Sequence, residues 1–150
     1  MTIMTQERIR EIHERDAKSI LVRGWESPLE PPDTVVTFDA GFVATYRGDC
    51  PYLPLYVTTP TTDGRTRQRF GTRTLLDAID YVAEVLRDDG FDGLWLRQHP
   101  HLVDCLHAVR VGALERRLAD IAADTGTTLV TWTDATTTAN DAVYDDTVES

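Results

Sequence analysis

LPLYVTT at residues 53–59, LWLRQ at 94–98 and TTLVTWT at 127–133 decide how this chain folds. The first two are short and apolar and the third is rich in β-branched residues, so each reads as a strand. Between them lie TLLDAIDYVAEVLRD at 74–88 and a longer helical stretch from about Pro100 to Asp124. Strand, helix, strand, helix, strand predicts parallel strands joined by right-handed crossovers. The 74–88 segment carries the clearest signal. Leu75, Leu76, Ile79, Val82, Ala83 and Leu86 fall on one face, with Asp77, Asp80, Glu84 and Arg87 on the other. Thr74 with Asp77 approximates a capping box, and Gly90 supplies the stop. In the longer stretch Leu102, Leu106 and Val109 form one stripe, while Leu114, Leu118 and Ile121 form a second, rotated from it. The change falls at Gly112 and predicts a bend or two helices, ending at Gly126.

Upstream, Thr5 to about Ser19 reads as a helix with a thin apolar stripe of Ile9, Ile12, Ala17 and Ile20. So narrow a stripe suits a helix lying on the domain surface or against a partner. Ile20–Trp25 reads as a first strand. Residues 27–33, with Pro28, Pro31 and Pro32, form a proline-rich connector. Thr34–Ala40 and Phe42–Tyr46 read as two pairing strands, or as one strand with a bulge at Gly41. Arg47–Pro51 turns the chain, and Thr58–Gly64 reads as a loop. Beyond Thr133 the chain becomes rich in Thr, Ala and Asp. Residues 135–150 read as an acidic tail, mobile or docked on a partner, with Ala142–Tyr144 the part suited to a short strand. The fold class expected is α/β. An N-terminal helix, a β-hairpin or meander and a β-α-β-α-β unit give a mixed sheet flanked by helices, in one domain over residues 1–134.

The formal net charge of the 150-residue chain is -10. Its make-up is more telling than its size. Lys18 is the one lysine among fifteen basic residues, while seventeen acids are Asp, eight are Glu, and twenty-one residues are Thr. Short, strongly hydrated carboxylates in excess suit a protein kept soluble in concentrated salt, where self-repulsion is screened. This composition resembles that of proteins from halophilic archaea and their viruses. A GC-rich genome also favours Arg over Lys, but accounts less well for so large an acid excess. Met1–Arg10 lacks the apolar core of a signal peptide, and no run approaches the length that crosses a bilayer. Cys50 and Cys105 lie far apart, so no disulfide framework is indicated. The setting expected is a reducing cytoplasm, or a virion assembled there.

Two groups of residues suggest chemistry. Three of the four histidines, His99, His101 and His107, sit within nine residues together with Asp104 and Cys105. Pro100 suits a first helical turn, and helical spacing then puts His101, Asp104 and Cys105 on one face, as a metal clip requires. His107 points nearly opposite and no second ligand pair follows, so no metal or cofactor is expected, and Cys105 reads as a small hydrophobe. The second group is Arg65, Arg67, Arg69 and Arg73, the main positive patch of an acidic chain. If Arg65–Phe70 is extended, three alternate arginines share a face and grip a phosphate or a partner's carboxylates. The alternative is pairing with the chain's own plentiful acids. Trp25, Trp95 and Trp132 read as core or interface anchors.

The order of elements is similar to that of restriction-endonuclease-like nucleases, including archaeal junction resolvases, and Pro32-Asp33 resembles the opening of their motif. That family places a further acid and a lysine, one residue apart, on the following strand to hold Mg²⁺. Here that strand reads Leu55-Tyr56-Val57-Thr58, so the resemblance implies an inactive relative. Tail-terminator proteins of viruses have a similar N-terminal helix followed by a β-hairpin and a strand. No Gly-x-Ser-x-Gly elbow and no glycine-rich phosphate loop occurs. The function expected is therefore a non-catalytic assembly protein, such as a virion connector or tail-end component. Its partners are protein subunits, in a homo-oligomer or a larger assembly. Neither a membrane nor a nucleic acid is expected, because phosphate-driven binding weakens as salt rises. The alternative is an α/β enzyme or nucleic-acid-binding protein using the arginine run. Sites in such folds lie at the carboxyl ends of parallel strands, where Arg97, Gln98 and His99 would fall.

Overall fold

Period-two alternation in Val35–Ala40 and the unbroken apolar run before Arg97 build the middle of a seven-stranded mixed sheet. A computed structural model describes residues 2–28, 30–40, 55–61, 64–71, 74–97, 99–133 and 141–149, with 2–3, 40, 61, 99–109 and 141 as backbone alone. The chain runs β1 (Thr2–Ile3), α1 (Gln6–His13), β2 (Ser19–Arg23), β3 (Trp25–Glu26), β4 (Val35–Ala40) and β5 (Leu55–Thr61). It continues β6 (Gly64–Phe70), α2 (Leu75–Asp89), β7 (Gly93–Arg97), α3 (His99–Thr125), β8 (Thr128–Thr133), a 3-10 turn at Asp141–Val143, and β9 (Asp146–Glu149). The main sheet has the order β6-β5-β4-β7-β8-β2-β9, and β1 pairs with β3 beside it. This is the α/β architecture expected, with an N-terminal helix and helices flanking a mixed sheet.

The parallel strands are β4, β7, β8, β2 and β9, whereas β5 runs antiparallel to both β4 and β6. The β-α-β-α-β series thus starts from β4 at Val35 and not at Leu53, with β2 and β9 as further parallel strands. Only two residues separate β5 from β6, far too few for a crossover, so these strands form a hairpin where a loop over 58–64 was expected. Gly64 at φ 117° takes the left-handed backbone that starts the return strand. β6 is an edge strand, and of its residues Phe70 alone is buried. Its polar composition therefore hides it from a reading based on hydrophobic periodicity.

Two helices cover one face. Ala78, Ile79, Val82 and Leu86 of α2, with Leu114, Leu118 and Ile121 of α3, pack on Val36, Phe38, Leu55, Val57, Leu94, Leu96 and Leu129. On the opposite face Ile9 and Ile12 of α1 pack on Ile20, Val22, Val35, Trp95, Val130, Trp132 and Val148. The narrow stripe of α1 is thus spent on its own sheet. This helix ends at His13, short of the predicted Ser19, because Ser19 already begins β2. α3 is one continuous helix through Gly112, where a bend or two helices was expected, so the two-helix alternative does not hold. A mid-helix glycine costs only about 1 kcal/mol, and burial of Val111, Leu114 and Leu118 against the sheet keeps the helix unbroken there. The capping box at Thr74 does not form. Its hydroxyl donates instead to the Gly71 carbonyl at 2.8 Å.

Of the segment read as a mobile or partner-docked tail, the described residues 141–149 lie against this chain's own sheet. Thr147 and Glu149 face out while Val148 is buried, and β9 pairs with β2. Ser19 donates to the Val143 carbonyl at 3.0 Å, and the backbone of Lys18 donates to the Asp145 carboxylate at 3.1 Å. Arg15 pairs with Asp146 and holds that carboxyl below the usual range. The strand expected at 42–46 and the turn at 47–51 lie outside the described residues. No helix among the described residues is long and apolar enough to cross a membrane.

Gly93 fixes how closely α1 approaches β7. A Cβ built there would sit 2.4 Å from His13 Cε1, closer than any real contact allows. His13 in turn accepts a hydrogen bond at Nε2 from the Trp95 indole N–H at 3.1 Å. Gly93→Ala is expected to push the imidazole off this bond and to destabilise by about 1–3 kcal/mol. The check is a denaturant titration, with Gly90→Ala a poor control because Gly90 has φ 68° and Gly71→Ala a good one. Gly71 has open space where a Cβ would go.

Candidate anion-binding site

α1 covers only part of its face of the sheet. Beyond Val35 and Trp95 the strands continue, and the pleat puts Thr37 and Asp39 of β4 and Arg97 of β7 on that same face. Register then aligns a row of side chains across four strands. Arg97 opposes Asp39, Asp39 opposes Tyr56, and Tyr56 opposes Arg69. Three inter-strand spacings make the row about 14 Å long. The next row toward α1 reads Trp95, Thr37, Thr58 and Arg67. So β6 is extended as the alternate arginines required, and Arg65, Arg67 and Arg69 share one face.

This place is also where the order of connections reverses. The chain leaves β4 toward β5 on one side, and leaves β7 through α3 toward β8 on the other. The carboxyl ends of β4 and β7 therefore flank a topological switch point, the usual crevice for ligands in open α/β sheets. α3 begins at His99, soon after β7, so the positive end of its dipole lies at the same end of the sheet.

Asp39 is the centre of the site. It is 4% exposed and Arg97 is 8% exposed, so both ends of the row's first pair are withdrawn from water. The Arg67 guanidinium lies 3.8 Å from Asp39 Oδ1 and 4.0 Å above the centre of the Tyr56 ring. Arg67 is itself more than half exposed, so it closes the site from the solvent side. Burial raises the Asp39 carboxyl above its ordinary value, against the pull of Arg97 and Arg67. Burial likewise pushes the Arg97 guanidinium down, opposed by Asp39 and reinforced by Arg67. Desolvation outweighs the attraction at both groups, so the pair is costly to bury. The hydrogen-bond inventory agrees. Asp39 Oδ1, Thr37 Oγ1 and Arg97 Nε are buried without a hydrogen-bond partner.

The remaining candidates fall elsewhere. Arg65 donates to the Pro31 carbonyl and pairs with Asp33 at 3.2 Å, so it anchors the proline-rich connector. Asp33, the acid of the nuclease-like Pro-Asp pair, lies in that connector before β4. Arg73 and the side chains of His99, His101, Asp104 and Cys105 lie outside the described residues. Among the described residues no cluster of three or more His, Cys, Asp or Glu is placed to hold a metal. Asp39 escaped the sequence reading because an Asp near a strand end resembles a turn residue. Alternation was the available signal: Val36 and Phe38 on one face imply Thr37 and Asp39 on the other.

No family model, curated protein or solved structure matches the chain.

Proposed function

We propose that this protein binds a phosphate-bearing ligand at the carboxyl ends of β4 and β7, as a binding module and not as an enzyme. The observation that carries this reading is the buried Asp39 beside Arg97 and Arg67, with polar atoms left unpartnered, at the switch point of the sheet. A lone carboxylate between two guanidiniums offers neither a metal pair nor a nucleophile with its base. It does offer a cluster of guanidiniums for an anion, with Asp39 as the internal counter-ion. Planar guanidiniums match phosphate oxygens in pairs, which suits Arg97 and Arg67 better than lysines would.

The features that suggest an assembly module are engaged within the chain. The α1 stripe packs on the sheet, the proline-rich connector is held by Arg65, and the tail supplies β9. The arginine face is therefore the better-supported contact surface. An acidic, lysine-poor composition supports a salt-rich setting, cellular or viral. In 1 M salt the screening length is about 3 Å, so exposed charge alone holds little. A buried guanidinium that donates hydrogen bonds keeps its grip there.

Titration calorimetry with tripolyphosphate tests the proposal. Binding is expected to weaken by about tenfold or more in Arg97→Gln and in Arg69→Gln, the loss of one charged hydrogen bond. Arg116→Gln on the exposed side of α3 is expected to bind as the parent does. Arg69 is exposed and its replacement leaves the core intact. Unchanged affinity in both site variants, with the fold verified by circular dichroism, would overturn the reading.

A further inference from the structure

We infer that the phosphate bound here is carried on a sugar with free hydroxyl groups, that is, a ribose phosphate from a nucleotide or an RNA strand. The inference rests on the anion-binding reading and concerns what the unpartnered atoms beside the guanidiniums require. Asp39 Oδ1 is an acceptor only, Thr37 Oγ1 both donates and accepts, and Arg97 Nε is a donor. All three belong to residues at least nine-tenths buried, and none of the three atoms makes a hydrogen bond, although Asp39 Oδ1 faces the Arg67 guanidinium at 3.8 Å. Inorganic phosphate satisfies Arg97 but, as a dianion, repels Asp39. A hydroxyl group satisfies both: it donates to the carboxylate and accepts from Thr37 or Arg97. The ligand that fits must therefore bring a donor next to its anionic group.

Charge selects among such ligands. An amino-acid zwitterion also pairs a donor with an anion, but its single negative charge leaves the face around Arg67, Arg69 and Arg97 under-neutralised. A phosphate monoester or diester chain fits that charge better. The row's length of about 14 Å also exceeds an amino acid. Arg67 controls entry. In the free protein its guanidinium stacks on Tyr56 and covers Asp39. A phosphate that draws Arg67 outward uncovers the carboxylate for a hydroxyl and frees the Tyr56 ring for a base to stack on. Carboxylate recognition of ribose hydroxyls and phosphate recognition by arginine are each common, and the hydroxyl is what separates ribose from its deoxy forms.

The test compares adenosine 5′-monophosphate with its 2′,3′-dideoxy form, and an eight-residue oligouridylate with the same-length oligodeoxyuridylate, by calorimetry at fixed salt. Tripolyphosphate is titrated alongside. The ribose forms are expected to bind about tenfold more tightly, the effect of one charge-assisted hydrogen bond. Asp39→Ala is expected to erase that preference while keeping tripolyphosphate affinity at or above the parent's. Tighter binding of the oligomer than of the monomer identifies an RNA strand as the source, and equal binding a free nucleotide. Either supports the inference. Tripolyphosphate binding with no preference for ribose overturns it and leaves the anion reading standing. Failure of every probe, tripolyphosphate included, overturns both.

Discussion

Arg97→Ala is expected to cost about 3–5 kcal/mol of stability at neutral pH, the cost of leaving a buried charge uncompensated. Asp39 is the charge left behind. It is 4% exposed, and of its two guanidinium neighbours only the exposed Arg67 would remain, at 3.8 Å. The pH dependence gives the cause away. Burial already raises the Asp39 carboxyl above 3.8 in the parent, and Arg97 is one of the groups restraining that rise. Without Arg97 the folded-state value climbs further, so the folded chain holds a proton that the unfolded chain releases. Such a group contributes stability that is full below its unfolded pKa and is lost as pH rises through its folded pKa. The variant should therefore recover stability as pH falls toward 4, where a simple packing defect would not. Asp39→Asn combined with Arg97→Ala should restore most of the loss at neutral pH. A double-mutant cycle by urea denaturation measures this coupling. Additive losses, with no recovery in acid, would show that the two groups do not act as a pair.

The same pair shows which parts of this protein sequence reasoning reaches. Local patterns were legible wherever a residue's face is set within its own element. Leu75 to Leu86 alternates at helical period, and α2 forms there. The apolar runs LWL and TTLVTWT became β7 and β8, buried between helical layers. Reading failed where the deciding contact is made across strands. β6 carries Arg, Gln and Thr because it is an edge, so nothing in its composition distinguishes it from a loop. β9 depends on Val148 finding a place beside β2, a partner distant in sequence. The helix continues past Gly112 because local helix propensity yields to the burial of Leu114 and Leu118. The site divides along the same line. Alternation placed Arg65, Arg67 and Arg69 on one face, and the strand-end rule placed Arg97 near a crevice. What joins them is the register Asp39 to Arg97 and Asp39 to Tyr56, and register is a property of the assembled sheet.

That separation between position and support leads to the other large effect. Trp95→Ala is expected to destabilise by about 3–5 kcal/mol, as an emptied aromatic site in a core does. The ring is fully buried, meets Trp132 edge-on with centroids 5.0 Å apart, and donates its N–H to His13. Loss of the ring also lets water reach His13, whose pKa burial holds below 6.5 against a smaller opposing pull from Asp92. A depressed histidine gives stability that is present above its unfolded pKa and is lost as pH falls toward the folded value. The parent should thus lose stability on acidification from pH 7 to 5. Trp95→Ala, with His13 rehydrated, should lose less over the same range, and an unchanged slope would mean that His13 is not the group responsible. Tripolyphosphate affinity offers the contrast. Arg97 lies two residues beyond Trp95 on the same face, yet its place opposite Asp39 is set by the hydrogen-bonded register of β4 and β7. The folded fraction of Trp95→Ala should therefore bind as the parent does. A large loss of affinity would mean instead that the indole supports Arg97 directly, and that the aromatic cluster beneath α1 belongs to the site.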